Sequence, residues 1–241
     1  MIELGGFMKI VISPSKTMRR VSADRPQKCL FQKEKETLLG ELRNYTVEAL
    51  EKLYQSSRKI AEENHRRFSH FEENSKALWS YTGAQFKALD INSLSASSRD
   101  FLDQHLFIMS GLYGLLRPSD TIGLYRLPMN VEIGRPLKDY WREPLYNTLE
   151  NQTVLNLASK EYSETLDARL TIITVDFFTV DARGKHKKNA MEVKQQRGQY
   201  LRYLASEKSL SETTLKSYCE NGYQYQETLS DKNKIIYTKR T

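Results

Sequence analysis

The chain has 241 residues, with 37 Lys and Arg against 30 Asp and Glu, a formal charge of +7 at pH 7 and a pI of about 9.2. No apolar run approaches the ~20 residues of a membrane-spanning helix, and 14 Tyr, 9 Phe and 2 Trp can fill a core, which argues against a disordered chain. Low Gly and Pro content disfavours a repetitive or loop-rich chain, so one mixed α/β domain over residues 8–241 is expected, in the cytoplasm. The first residues carry neither a basic segment nor a long apolar one, and Met8 is an alternative start that would make residues 1–7 an extension.

In chain order, residues 9–13 form an apolar run ending in Ser-Pro-Ser-Lys-Thr, a buried strand entering a polar turn. Residues 19–31 are irregular. From Gln32 to Phe71 the apolar spacing is helical, through Leu38, Leu39 and Leu42, then Leu50 and Tyr54, then Ile60, Asn64 and Phe68, with a break at Ser56-Ser57. Residues 77–81 read as a strand, 84–89 and 97–105 as short helices, and 106–110 as a third strand. A helix over 137–151, interrupted at Pro144, precedes a strand at 153–157. Residues 170–180 form a long β-rich run that doubles back at Asp181–Gly184 as a hairpin. A strong helix covers 190–206. Ser209-Leu-Ser-Glu212 reads as a capping box for a helix stopping near Asn221-Gly222, and 235–237 as a last edge strand.

Cys29 and Cys219 stand alone and far apart, so neither a disulfide framework nor a zinc ribbon is indicated. His65 and His70, five apart on a helix, diverge and cannot chelate from one face, and His105 and His186 have no ligand partners in a recognisable spacing. No metal site or cofactor is expected. Ser13, Ser15 and Ser110 end strands, but no base is paired with them and no GxSxG elbow is present, so no catalytic residue is assigned.

Phosphate chemistry is better supported. Arg183, Lys185, Lys187, Lys188, Lys194, Arg197 and Arg202 oppose Glu192 alone, so one short stretch holds most of the basic surplus. Such a patch suits a phosphate-bearing partner or is a solvated lysine-rich hairpin. Ser13, Ser15, Lys16 and Thr17 offer hydroxyls, amides and a cation, without the glycines of a P-loop. Ser110, Gly111, Tyr113 and Gly114 form a glycine-bracketed turn, either a ligand approach or a tight packed turn. On the strong helix Lys194, Arg197 and Arg202 share a sector with Gly198, whose cost of about 1 kcal/mol in a helix implies close approach of a backbone or ligand. Residues 53–61 can be laid on the helix-hairpin-helix signature through Leu53, Lys59 and Ala61, although Gln55 and Ser57 replace both glycines; read alone, the segment is an ordinary αα-hairpin.

Taken together, Ser13-Pro-Ser-Lys-Thr17, Tyr81-x-Gly83, Ser110-Gly-Leu-Tyr-Gly-Leu-Leu-Arg-Pro118, Tyr125-Arg-Leu-x-Met129, Leu137-Lys-Asp-x-Trp141, Asn156-Leu-Ala-Ser-x-Glu-Tyr162 and Lys194-x-x-Arg-Gly198 stand in an order that resembles the bacterial peroxide-stress YaaA family, from Met8 to about Tyr225. The resemblance implies a single-domain mixed α/β fold with a central mixed sheet flanked by helices and a helix-hairpin-helix-like element. It also implies binding to the backbone of double-stranded DNA and a lowering of free intracellular iron that limits oxidative DNA damage. Lys16, Ser56, Ser57, Arg58, Lys59, Lys194, Arg197 and Arg202 are the expected phosphate contacts. Ser13, Ser15, Thr17, Tyr81, Gly83, Ser110, Gly111, Tyr113, Gly114 and Arg117 are expected to line a cleft at the sheet's carboxyl edge. That cleft leaves a second possibility open, an enzyme acting on a nucleotide or phosphorylated small molecule. A third is an interaction module whose basic patch meets an acidic protein.

Overall fold

In the computed structural model, which describes residues 7–23 and 25–240, the three continuous apolar runs of the sequence become neighbouring parallel strands. Strands buried on both faces cannot alternate in polarity, which is why these runs are apolar throughout. Residues 1–6 of the expected N-terminal extension lie outside the described residues.

The strands are β1 (Met8–Ile12), β2 (Ser75–Lys76), β3 (Leu106–Ser110), β4 (Gly114–Leu116), β5 (Thr121–Ile122), β6 (Glu132–Ile133), β7 (Arg135–Pro136), β8 (Thr153–Leu157), β9 (Thr171–Val180), β10 (His186–Lys187), β11 (Gln224–Tyr225) and β12 (Lys234–Arg240). The main sheet runs β11-β12-β9-β8-β1-β3-β4, with β10 paired to β9 beside this path. Its centre, β12-β9-β8-β1-β3, is parallel, and β11, β4 and β10 join antiparallel. The helices are α1 (Gln32–Arg43), α2 (Val47–Tyr54), α3 (Arg58–Ser69), α4 (Ala77–Ser80), α5 (Ala84–Leu89), α6 (Ala96–His105), α7 (Leu137–Leu149), α8 (Lys160–Ser163), α9 (Ala190–Glu207) and α10 (Glu212–Lys216). This is the expected mixed α/β architecture. Among the described residues, no helix is long and apolar enough to cross a membrane.

Four local expectations are corrected. Residues 77–81 are not a strand: Ser80 Oγ donates to the Lys76 carbonyl at 2.6 Å, closing the single turn of α4. The helix at 137–151 is shorter and runs through Pro144 unbroken; Leu137, Trp141, Leu145 and Leu149, spaced by four and fully buried, anchor one stripe on both sides of the missing N–H. The capping serine of α10 is Ser211, whose side chain accepts from Thr214 N, and the helix ends at Lys216 rather than near Asn221. The segment 235–237 is not an edge strand. It is the middle of β12, held between β9 and β11, and Ile235, Ile236 and Tyr237 are buried in succession.

The carboxyl ends of β1 and β8, adjacent in register from Met8↔Thr153 to Ile12↔Leu157, place Ser13 and Ser159 side by side. This edge of the sheet carries the candidate site.

Candidate anion-binding cleft

Ser13 Oγ accepts from the Ser159 N–H at 2.7 Å and donates to Ser159 Oγ at 3.1 Å, tying the two strand-end loops together. The first loop continues through Ser15, whose hydroxyl lies 3.1 Å from Thr17 Oγ1 and accepts from Thr17 N at 3.2 Å. Thr82 Oγ1 donates to Thr17 Oγ1 at 3.0 Å, bringing the start of α5 against this loop. Gly83 makes the approach possible: a β-carbon there would lie 2.5 Å from Ser15 Oγ. On its far side α5 is crossed by α9 at Gly198, where a β-carbon would overlap the carbonyl oxygen of Gln85. The close approach implied by this helical glycine is therefore to a backbone.

These contacts enclose a cavity of about 270 Å³. Its polar floor and rim come from Ser13, Ser15, Lys16, Gln85, Arg126, Ser159, Glu161, Lys194 and Arg197, and its apolar wall includes Phe86, Tyr125, Leu127, Pro128, Tyr162 and Met191. Met191, Lys194 and Arg197, three residues apart in turn, reach it from one face of α9. Arg197 is only 9% exposed. Its nearest carboxylate is Asp176 at 4.0 Å, itself paired with Lys188 at 2.8 Å. Burial lowers the Arg197 pKa from the usual guanidinium value, and Asp176 only partly opposes this. Three buried donors in the lining, Gln85 Nε2, Arg126 Nε and Arg197 Nε, have no hydrogen-bond partner within the protein. A cleft with four cations, one lining carboxylate and unsatisfied donors is arranged for an anion.

The expected cleft residues divide. Ser13, Ser15 and Gly83 come together there with three of the expected phosphate contacts, Lys16, Lys194 and Arg197, whereas Thr17 stands just outside, bonded to Ser15 and Thr82. Tyr81, Ser110, Gly111, Tyr113 and Gly114 lie in the core and not in the lining. Tyr81 and Tyr125 hydroxyls are 2.9 Å apart, and Tyr125 lies 2.5 Å from Ser110 Oγ, which accepts from Leu112 N and Tyr113 N. Burial pushes the Tyr125 phenol up to about 12, although its hydrogen bonds to Ser110 and Tyr81 act the other way. Tyr113 donates to Glu73 and accepts from Gly123 N. The two glycines serve Trp141: its indole N–H donates to the Gly111 carbonyl at 2.8 Å, and its ring packs on Gly114, whose φ is +70°. Arg117 is held by Asp120 and the Lys28 carbonyl.

The expected phosphate contacts also divide. Arg202 points to α5, donating to the carbonyls of Leu89 and Asp90 and to Ser93 Oγ. Ser56, Ser57, Arg58 and Lys59 sit at the α2–α3 connection, none of them in the cavity lining. There Gln55 adopts a left-handed conformation (φ 46°), and Arg58 bridges Glu48 and Glu62, each at 3.1 Å. Sequence reasoning missed Gln85, Arg126, Ser159, Glu161 and Tyr162. Arg126 and the Ser159–Tyr162 stretch lay within two of the ordered motifs, so a signal existed; Gln85 had none. Among the described residues no group of three or more His, Cys, Asp or Glu is placed to hold a metal ion.

The fold and cleft define a mixed α/β protein with a cation-lined cavity at the carboxyl edge of its sheet. The chain belongs to the peroxide stress protein YaaA family, whose model matches residues 8–229, and so is a peroxide-stress-related protein. It is 33% identical over 241 residues to a UPF0246 protein of Finegoldia magna, covering 96% of this chain and 98% of that one. It is also 33% identical over 255 residues to a UPF0246 protein of Clostridium botulinum, covering 96% and 99% respectively. A UPF0246 protein of Francisella tularensis is 31% identical over 254 residues, covering 96% of this chain and all of that one.

Proposed function

We propose that this peroxide-stress protein binds double-stranded DNA through backbone phosphates along the basic face that opens from the cleft, in the cytoplasm, where Cys29 and Cys219 stay free thiols. The observation that carries this reading is the gathering of Lys16, Arg126, Lys194 and Arg197 around one opening against Glu161 alone. The exposed Arg183, Lys185, Lys187 and Lys188 around β10 extend the same charge. Lys188 is tied to the cleft through Asp176, which it shares with Arg197. Phosphate contacts of this kind position a duplex without reading its bases. Any effect on free iron is then indirect, acting through the DNA that iron chemistry would damage.

Binding should weaken steeply with salt and alike for all sequences. Each neutralised phosphate contributes about −0.9 to the slope of log K against log salt. Lys16 and Lys194, exposed at the rim, should each supply one such contact, so a Lys16→Ala/Lys194→Ala double variant flattens the slope by roughly two units. Arg202→Ala should leave it unchanged, because that side chain is committed to α5. Fluorescence anisotropy with a labelled duplex across a salt series measures this; an unaltered slope in the double variant removes the cleft from the DNA site.

A further inference from the structure

We infer that the floor of the cleft is a site for a terminal phosphate monoester carried on a nucleoside, supplied either as a free mononucleotide or as the phosphorylated end of a DNA strand. The inference rests on the cleft being the phosphate-binding region proposed above, and adds which phosphate enters it.

Size comes first. A cavity of about 270 Å³ falls just below the roughly 300–1,000 Å³ of small-molecule sites. It holds about one nucleotide, whereas an internal phosphodiester of a duplex, flanked by chain on both sides, stops at the rim. Position of the donors comes second. Gln85 and Arg197 are more than nine-tenths buried, and Gln85 Nε2, Arg197 Nε and Arg126 Nε are unpartnered. A buried donor left unpaired forfeits its hydration without compensation, and three around one cavity match a group rich in acceptor oxygens.

Charge is third. The lining carries Lys16, Arg126, Lys194 and Arg197 against Glu161 alone, and Asp176, behind Arg197, is closer to Lys188 than to the guanidinium. A surplus of this size is better matched by a monoester, which carries close to two negative charges at neutral pH, than by a diester with one. Finally, a lone phosphate would leave the apolar wall unused. Phe86, Tyr162, Pro128 and Met191 offer the flat and flexible surfaces on which a base packs. Glu161, which accepts from Met129 N at 3.3 Å, brings a carboxylate that can also accept from a sugar hydroxyl.

Isothermal titration calorimetry on the full chain tests this with adenosine monophosphate, adenosine and inorganic phosphate. Two duplexes of one sequence, ending in 5′-phosphate or 5′-hydroxyl, separate the sources. Adenosine monophosphate should bind at least tenfold more tightly than adenosine and than inorganic phosphate. Arg126→Gln and Arg197→Gln should each weaken it at least tenfold, while Lys33→Ala, exposed on α1 and outside the cavity, leaves it unchanged. Arg126 is only half-buried, so its variant keeps the test decisive should the Arg197 variant fail to fold. A phosphorylated duplex that binds at least tenfold tighter than its hydroxyl twin identifies the chain end as the ligand. Equal duplexes together with tight adenosine monophosphate binding identify the free nucleotide. If adenosine monophosphate is indistinguishable from adenosine and the duplexes are indistinguishable from each other, the inference is wrong, even where both duplexes bind with a steep salt dependence and the backbone reading survives. Tight nucleotide binding without any duplex binding does the opposite: the monoester site stands and the duplex reading falls.

Discussion

At the scale of single residues, burial decides chemistry that composition leaves open. The sequence presents two equivalent lone cysteines, yet Cys29 is 4% exposed and Cys219 is open to solvent. Burial, with Glu73 adding to it, pushes the Cys29 thiol up to about 11. Since the thiolate is the nucleophile, iodoacetamide at about pH 8 should label Cys219 alone in the native protein and both cysteines in denaturant, as read by peptide mass spectrometry. Native labelling of Cys29 at a comparable rate would contradict its burial. The same distinction governs the arginines. Lys194, Arg197 and Arg202 are equally plausible phosphate ligands on a helical wheel, but the wheel is blind to the neighbouring element. One part of the sector faces the cavity and another faces α5, where Arg202 satisfies carbonyls at the end of that helix. The cations of α9 were therefore legible as a group and not as individuals. Arg126 was legible only as part of a motif, because nothing local to its irregular segment marks the side chain's direction.

At the scale of elements, the cleft depends on how closely α9 approaches α5. Gly198→Ala gains about 1 kcal/mol of helix propensity, but the new methyl overlaps the Gln85 carbonyl oxygen and comes within 2.9 Å of Ala88 Cβ. Backbone cannot rotate away as a side chain can, and overpacking of this kind costs about 1–3 kcal/mol. The expected balance is a lower melting temperature, measured by calorimetry, together with weaker ligand binding because Gln85 and Arg197 are pushed apart. A variant that melts at or above the parent temperature would show that the crossing has slack. Elements whose signal is a continuous apolar run or a clean helical stripe were readable: β1, β3, β8 and α5 fall where the sequence puts them, within a residue. The failures share a cause. Residues 77–81 and 235–237 are short apolar stretches, in which local pattern cannot separate a buried turn of helix from a strand, or an edge strand from an interior one. Ser209 and Ser211 are two hydroxyls competing for one cap, and the choice between them depends on where tertiary packing starts the helix.

For the whole molecule, the buried tyrosines limit stability on the alkaline side of the pH scale. Tyr81, Tyr113, Tyr125, Tyr200, Tyr218 and Tyr237 are all buried, and burial is the leading cause that raises each phenol above the ordinary value of 10.0. Several belong to one cluster around Phe177, which stacks on Tyr237 with centroids 5.4 Å apart and meets Tyr200 and Tyr218 edge-on. In the folded state these groups keep their protons above pH 10, whereas in the unfolded chain they lose them. The unfolded state then binds fewer protons, so the stabilisation is complete below pH 10 and is lost as pH rises toward the folded values. Each such tyrosine removes about 1.4 kcal/mol per pH unit in that interval. Cys29 acts in the same direction between 9.0 and about 11. Summed over several groups, the slope exceeds what a domain of ordinary stability withstands for more than a unit or two. Alkaline titration should therefore show tyrosinate absorbance from the buried set and loss of the far-ultraviolet dichroism together, in one cooperative step above about pH 10. Ionisation of all the tyrosines near pH 10 with the dichroism intact would mean that the aromatic cluster is open to water and that the sheet's β9–β12 side is held by something else.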